Sequence, residues 1–206
     1  MNLRERKKER TRKAISDAAI TLFLRSGFDQ VSITQVAEAA EVSRRTLFAY
    51  FPTKEDLVVH RLADHEFENA RVVRARREPP VAALRAHFLE GLRERDPITG
   101  LSDKPEVLAL YRLIKETPAL MNRMVTFHAS GTRALADALR EVADVPPLVA
   151  DLAADQLSGV RWRLALDNNA RITAGASADE AYPEAVEAAE LSFSLLLNGL
   201  GSAGLG

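Results

Sequence analysis

The sequence predicts an all-α protein in two parts, an N-terminal three-helix domain containing a helix-turn-helix unit and a larger helical domain behind it. Three observations predict this class. Apolar residues recur at three- and four-residue steps through most of the chain, segments containing proline or glycine separate these stretches, and no β-alternating run of useful length is present. A chain of 206 residues is long enough for one or two compact domains.

Composition and charge narrow the class of protein. Cysteine is absent, which excludes disulfides, cysteine-ligated zinc, iron–sulfur clusters and thiol nucleophiles. No apolar signal region opens the chain and no stretch approaches a membrane span, so we expect a cytoplasmic protein. Met1–Lys54 holds 11 basic and 6 acidic residues, whereas the remainder is acidic. This asymmetry fits either a polyanion partner for the basic segment or a merely solvated basic terminus.

The first helix is predicted from an apolar stripe at i, i+3, i+4, i+7 and i+8, with Gly27 as its stop. The stripe consists of Ile15, Ala18, Ala19, Leu22 and Phe23. Residues 1–13 before it form a strongly basic arm, with the run RERKKERTRK at residues 4–13. We interpret this arm either as the solvated start of the helix or as an extension that contacts the minor groove or phosphates of DNA.

Two short helices follow, separated by a tight turn. Ser32 and Gln35 have the spacing of a capping box and open a helix to about Ala40. After the turn, Ser43 is the predicted N-cap of a third helix. Pro52 ends this helix, because the residue before a proline is pushed out of the α region. The predicted helix-turn-helix domain therefore covers residues 1–53.

A long connecting helix is predicted over residues 54–78, opened by the capping pair Thr53 and Asp56 and closed by Pro79 and Pro80. Residues 79–200 form the predicted second domain. Its helices are expected at about 80–95, 104–116, 118–143, 147–173 and 179–200. Residues 201–206 are expected to form a disordered tail.

Cations stand at helix starts where they are electrostatically disfavoured. Arg44 and Arg45 open the predicted third helix and Lys54 the fourth, at a cost of roughly 0.3–1 kcal/mol each. No acidic residue follows the arginines at i+4, so DNA contact is favoured over surface ion pairs. Arginine can bond guanine O6 and N7, and the ring of Phe48 on the same face can touch a thymine methyl. Phosphates would offset the unfavourable dipole.

The segment AAITLFLRSGFDQVSITQVAEAAEVSRRTLFAYFPTKEDLV resembles the N-terminal domain of the TetR family of bacterial transcriptional regulators. The likeness lies in the Gly-Phe pair, the VAEAA and VS elements, the aromatic TLFAYF helix and the KEDL start of the next helix. The resemblance implies a homodimer whose recognition helices enter successive major grooves of an operator. It also implies a C-terminal domain whose ligand changes the spacing of those helices.

Position by position, the resemblance assigns two sets of DNA contacts. Base contacts fall on Arg44, Arg45, Thr46 and Phe48, and phosphate contacts on Thr34, Ser43, Tyr50 and Lys54. Leu47 and Phe51 are expected to pack inward, with Tyr50 directed to phosphate. Two positions depart from the family pattern: Glu41 replaces a common glycine and is strained if the turn needs positive φ, and Arg45 replaces a small residue.

The second domain gives weaker signals. Tyr111, Met121, Met124, Phe127, His128 and Trp162 can line an effector pocket or can be plain core. Arg112, Arg161 or Arg163 can anchor an anionic group. His60 and His65 are five positions apart, about 140° around a helix, so we interpret them as helix-surface residues rather than metal ligands.

Apolar stripes on the last two helices predict pairing within the chain and with a second copy. The expected dimer-interface residues are Val149, Leu152, Gln156, Val160, Leu164, Val186, Ala189, Phe193, Leu196, Leu197 and Leu200.

The sequence and the resemblance therefore predict a homodimeric regulator, a repressor rather than an activator, that an unknown small molecule releases from its DNA operator. An enzyme is not expected, because no nucleophile–base set, metal cluster or phosphate loop is visible, and no cofactor or metal is expected. The alternative is a helical small-molecule-binding protein in which DNA binding is vestigial.

Overall fold

The computed structural model describes residues 3–200 and the side chains of residues 5–198. Within residues 3–200 the chain is helical and contains no strand, which confirms the all-α prediction. The predicted tail at 201–206 lies outside the described residues. The helices are α1 (Leu3–Ser26), α2 (Ile33–Ala39), α3 (Arg44–Tyr50), α4 (Asp56–Val59), α5 (Ala63–Glu66), α6 (Glu68–Ala75), α7 (Pro80–Glu94), α8 (Pro105–Glu116), α9 (Pro118–Val142), α10 (Pro147–Thr173) and α11 (Ala178–Leu200).

The chain divides into two compact units. The first runs to Asp64 and also includes Ala109–Thr126, and the second comprises His65–Leu108 with the chain from Phe127 onward. Helices α8 and α9 therefore each contribute residues to both units.

The core of the first unit lies where α1 packs against α2 and α4, with α3 held on α2. Phe23 and Phe28 have ring centroids 4.9 Å apart in this core. Ser16, on the same helix as Phe23, donates a hydrogen bond of 2.7 Å to the Leu57 carbonyl. Leu47 and Phe51 are both 0% exposed, so the prediction that they pack inward is confirmed.

The predicted long connecting helix is interrupted. A 3₁₀ turn at His60–Leu62 separates α4 from α5, and Phe67, with φ −109° and ψ 15°, separates α5 from α6. In the second unit the Glu66 carbonyl oxygen lies against Gly131 of α9, where a Cβ atom would overlap it. The second break therefore lies beside a close contact with a residue far along the chain, which the local pattern does not show.

The core of the second unit is formed by α7, α10 and α11. Helix α11 packs on both α7 and α10, and α6 packs on α7. Leu84, Leu157 and Phe193 are fully buried between these helices, and Phe88 lies 6.3 Å from Phe193 between ring centroids. The apolar stripe of α11 therefore packs mainly against other helices of the same chain.

This packing changes the predicted dimer interface. Leu164, Ala189, Phe193 and Leu196 belong to the chain's own core, with at most 7% of their surface exposed. These four side chains pack inside the chain and leave little surface for contact with a second copy. Leu152 and Gln156 are exposed, and the side chain of Leu200 lies outside those described. The remaining predicted residues are half-buried: Val149, Val160, Val186 and Leu197.

Candidate functional site

Two caps and a left-handed turn fix the start of α3. Ser32 Oγ accepts from the Gln35 N–H at 3.2 Å, and Gln35 Oε1 accepts from the Ser32 N–H at 2.8 Å, so the predicted capping box is formed. Glu41 then adopts φ 54°, which confirms that this turn position needs positive φ. Ser43 Oγ accepts from the Thr46 N–H at 3.0 Å as the N-cap of α3.

The outward face of α3 carries two arginines and an aromatic ring. Arg44 and Arg45 are exposed in the first turn, and Phe48 is 44% exposed one turn later. Among the ion pairs of the described residues, none involves either arginine. Their positive charges add to the positive end of the helix dipole, so this face favours an anionic partner.

The predicted phosphate-binding hydroxyls border the same face. Ser43 Oγ and Thr46 Oγ1 are 2.8 Å apart and share one hydrogen bond, which leaves one hydroxyl hydrogen of the pair for an outside acceptor. Thr34 is exposed on α2 and Tyr50 is half-buried at the end of α3. Their contacts with phosphate remain predictions.

Lys54 has a partner within the first unit. Its Nζ donates to the Phe28 carbonyl at 2.5 Å and lies 4.4 Å from the centre of the Phe28 ring. Burial lowers the pKa of Lys54, and the carboxylates of Asp29 and Glu55 oppose this shift. An ammonium group has three donors, so a phosphate contact stays a prediction beside this structural contact.

The basic N-terminal run is helical from Leu3, as a continuation of α1, and residues 5–10 are exposed. An α-helix with side chains is about 10–12 Å wide, whereas the minor groove of B-DNA is about 6 Å wide. Of the interpretations left open by the sequence, this helical form fits phosphate contact or solvation and does not fit insertion into the minor groove.

The residues predicted to line a pocket are divided between the two units. Tyr111, Met121 and Met124 belong to the first unit, and the other three to the second. In the second unit the His128 and Trp162 rings have centroids 4.9 Å apart. The remaining member, Phe127, is 6% exposed.

The three candidate anchoring arginines differ sharply in exposure. Arg112 and Arg163 are exposed on α8 and α10, and the side chain of Arg163 is 76% exposed. Arg161 is only 9% exposed. Of the three, Arg161 is therefore the one whose charge lies inside a unit.

Arg161 belongs to an interior polar cluster, which we define as His65, Glu68, His87, Asp96 and Arg161. Glu68 carboxylate oxygens lie 3.3 Å from His65 Nδ1, 3.4 Å from His87 Nε2 and 3.7 Å from Arg161 Nη2. His65 Nε2 is in turn 4.0 Å from an Asp96 oxygen. Burial alone would raise the pKa of Glu68, but hydrogen bonds with the two histidines and the nearby charges of His65 and Arg161 hold it far below its ordinary value.

Arg161 retains unused hydrogen-bonding capacity. Its Nη1 is buried and has no hydrogen-bond partner in the protein, and the same is true of Ser158 Oγ, one turn earlier on α10. Burial lowers the pKa of Arg161, while Glu68 and Asp96 oppose the shift. A buried donor without an acceptor costs about 1–3 kcal/mol, so these two groups favour a ligand or ordered water.

Sequence reasoning missed this cluster. His60 and His65 were predicted on helix surfaces, but their side chains are only 13% and 22% exposed. His60 packs edge-on against Phe51, with ring centroids 5.4 Å apart, and burial lowers its pKa. The i, i+3 spacing of His65 and Glu68 was the available signal, since residues at that spacing are neighbours on a helix.

Two further findings concern the part of the chain that the structure describes. It holds no helix long and apolar enough to cross a membrane. It also holds no group of three or more histidine, aspartate or glutamate side chains arranged to bind a metal ion.

The capped α2–turn–α3 arrangement forms a helix-turn-helix unit that presents two exposed arginines on α3. Residues 15–60 match the family model described as bacterial regulatory proteins, tetR family. Over this N-terminal segment the chain is similar to the TetR family.

Curated regulators are similar to the N-terminal part of the chain and to a stretch beyond it. The chain is 36% identical over 122 residues to the HTH-type transcriptional regulator TcmR of Streptomyces glaucescens, a match covering 58% of this chain and 54% of TcmR. It is 44% identical over 73 residues to the HTH-type transcriptional repressor KstR of Rhodococcus jostii, covering 35% of this chain and 32% of KstR. The chain thus matches about half of the length of TcmR and about a third of KstR.

The similarity in fold to solved structures extends over most of the chain. The crystal structure of NalD, the secondary repressor of the MexAB-OprM multidrug efflux pump in Pseudomonas aeruginosa, aligns with a TM-score of 0.57. The alignment covers 90% of this chain and 97% of NalD at 19% sequence identity, a level at which the likeness concerns the fold alone.

Proposed function

We propose that this protein is a homodimeric repressor that binds a DNA operator through α3 and is released from it by a small molecule bound in the second unit. The proposal depends mainly on one observation: Arg44 and Arg45 are exposed on α3 beside Phe48 and form no ion pair among the described residues. DNA supplies both the acceptors that arginine recognises on guanine and the phosphates that the helix N-terminus favours. As a DNA-binding repressor it would act in the cytoplasm.

Dimerisation is supported by an exposed apolar surface on α10 and α11. Leu148 and Leu152 stand one turn apart on α10, and Leu191 and Leu195 one turn apart on α11. Each of the four is at least 50% exposed, although α10 and α11 pack against each other. Exposed leucines on neighbouring helices mark an interaction surface, and a second copy would pair this surface with itself.

The dimer is tested with the double substitution Leu191→Glu and Leu195→Glu. We expect sedimentation to show a dimer for the native chain and a monomer for this variant, because buried carboxylates would lose their hydration. Val125→Glu is the matched control, since Val125 is 61% exposed in the first unit. A native chain that is monomeric at micromolar concentration would contradict the proposal.

Operator binding and release need a separate test. DNA fragments from the source genome are selected on the purified protein, and the dissociation constant of the best fragment is compared with that of a scrambled duplex. We expect the selected fragment to bind about 10³-fold more tightly or better. Small molecules that bind the protein should weaken this complex, because a ligand shifts an equilibrium only through different affinities for two states.

The alternative function is a small-molecule-binding protein with vestigial DNA binding. It predicts equal, weak affinity for the selected and scrambled duplexes together with measurable ligand binding. The same titrations therefore separate the two candidates.

A further inference from the structure

We propose that Arg161 and Ser158 form the polar anchor of the effector site, and that the effector is a neutral, largely apolar molecule presenting a carbonyl-type acceptor rather than a carboxylate. This inference rests on the proposed function, because it names the chemistry of the ligand that the second unit would bind.

The donors come from one face of α10. Ser158 and Arg161 are three positions apart, so their side chains are neighbours on the helix. They are 4% and 9% exposed, and Ser158 Oγ and Arg161 Nη1 have no hydrogen-bond partner in the protein. Two buried donors on one face of a helix suit an acceptor with two lone pairs, such as a carbonyl oxygen.

The carboxylate nearest to Arg161 is already engaged elsewhere. Glu68 is 3.7 Å from Arg161 Nη2, which is an ion-pair distance and too long for a hydrogen bond. The Glu68 oxygens are closer to His65 and His87, at 3.3 and 3.4 Å. Glu68 therefore balances the charge of Arg161, while the Nη1 group of Arg161 remains without an acceptor.

Charge balance selects the class of acceptor. Glu68 and Asp96 both act on Arg161 as negative charges, whereas Arg161 is the one permanent cation of the interior polar cluster. A carboxylate ligand would bring a further negative charge into this partly desolvated region at neutral pH, which is costly unless it is paired. A neutral acceptor takes the hydrogen bonds without this penalty.

The surroundings favour an apolar body for the ligand. The guanidinium carbon of Arg161 lies 5.7 Å from the centre of the Phe88 ring. Leu157 and Leu164 on the same helix are 0% and 4% exposed. A polar acceptor on an apolar frame matches sites lined by hydrophobic side chains with a few placed polar groups.

The test uses the full chain labelled with ¹⁵N-arginine and pairs of small aromatic probes. Each pair shares a ring and differs in its polar group: benzamide and benzoate, naphthalene carboxamide and naphthalene carboxylate, biphenyl carboxamide and biphenyl carboxylate. We expect the amides to shift the Arg161 side-chain resonance and to bind about tenfold more tightly than the matching carboxylates at pH 7.5. The Arg161 resonance is assigned by its loss in Arg161→Lys.

Three variants identify the anchor. Arg161→Lys keeps a cation near Glu68 and should weaken amide binding about tenfold, and Ser158→Ala should weaken it by a smaller factor. Arg163→Lys is the matched control, because Arg163 is on the same helix with its side chain 76% exposed, and it should leave binding unchanged. Circular dichroism confirms that each variant is folded.

The outcomes separate this inference from the proposed function. Tighter binding of the carboxylates, or amide binding that is equal in Arg161→Lys, would overturn the inference. An Arg161 resonance that no probe shifts, with operator binding intact, would also overturn it and leave ordered water as the partner. If the native chain showed no specific DNA binding, the proposed function would be overturned. The probe data would still test whether Arg161 and Ser158 bind a neutral acceptor.

Discussion

The two arginine sites of this protein differ in how their charge is balanced. Arg44 and Arg45 are exposed at the positive end of α3, and no ion pair of the described residues involves them. Arg161 is 9% exposed and has a carboxylate 3.7 Å away, which two histidines hold in place. Arg44 and Arg45 can obtain a counter-charge only from outside the ion pairs of the described chain, whereas Arg161 has the carboxylate of Glu68 beside it.

This difference indicates what each site can bind. Exposed cations without a counter-charge cost little when solvated and gain from a polyanion, so they are suited to DNA. A buried cation must be compensated before any ligand arrives, and further negative charge is then disfavoured. Exposure and counter-charge together, rather than the presence of arginine, distinguish the two kinds of site.

The largest expected effect comes from removing the built-in counter-charge. Glu68→Ala leaves Arg161 buried without its carboxylate, and breaking a buried pair in this way costs about 3–5 kcal/mol. We expect urea unfolding to report a loss of this size in the free energy of unfolding. Glu141→Ala, which removes the exposed partner of Arg74, is the control and should change stability far less. Equal small losses for both variants would mean that Arg161 is not electrostatically dependent on Glu68.

The same carboxylate should make stability depend on acid pH. The pKa of Glu68 is depressed in the folded chain, so below about pH 4.5 the unfolded state binds more protons than the folded state. The stability from Glu68 is therefore present above pH 4.5 and is lost as the pH falls, by at most about 1.4 kcal/mol per pH unit. Urea titrations from pH 6 to pH 3, roughly the range over which carboxyl groups titrate, should show this loss in the native chain and a smaller one in Glu68→Gln.

A smaller effect concerns Lys54, whose ammonium serves the fold and is also predicted to contact phosphate. Lys54→Met keeps an apolar stem near Phe23 and Phe28 and removes the charge. If a phosphate is bound, affinity should fall equally for all DNA sequences and the salt slope of binding should decrease by about 1. If Lys54→Met lowered stability but left the salt slope unchanged, Lys54 would contact only the Phe28 carbonyl and no phosphate. Lys115→Met, at an exposed position of α8, is the control.

The smallest effect is expected at the turn that sets the angle of α3. Glu41 has φ 54°, a region that costs a non-glycine residue energy and glycine little. Glu41→Gly should raise the free energy of unfolding by up to about 1 kcal/mol, since the relief of strain exceeds the entropic cost of glycine only slightly. Operator affinity should stay within about twofold, because Glu41 is outside the arginine face. A destabilised variant would show that the turn is not strained.

The sequence predicted most of the fold because its helix boundaries are set by local chemistry. Pro80, Pro105, Pro118 and Pro147 each open a helix at or next to the predicted position, and the Ser32 and Thr53 capping pairs both form. These signals act within a few residues, so a single sequence displays them.

The features that the sequence did not predict depend on distant residues. The bend at Phe67 involves the contact between the Glu66 carbonyl and Gly131, and the Glu68 environment joins α6 to His87 on α7 and Arg161 on α10. The burial of Phe193 in the chain's own core depended on which helices flank α11. The local sequence can mark such residues by their spacing, but it does not show which distant residues they contact.

The central claim, that the exposed arginines of α3 read DNA sequence, is tested most directly by Arg45→Ala with the selected operator fragment. We expect its binding to weaken by about 1–3 kcal/mol, with discrimination relaxed at one base position and binding to scrambled DNA changed much less. Arg163→Ala, another exposed arginine, should leave both affinities unchanged. If Arg45→Ala bound both duplexes more weakly by the same factor, the claim would be contradicted. Arg45 would then contact phosphate rather than a base.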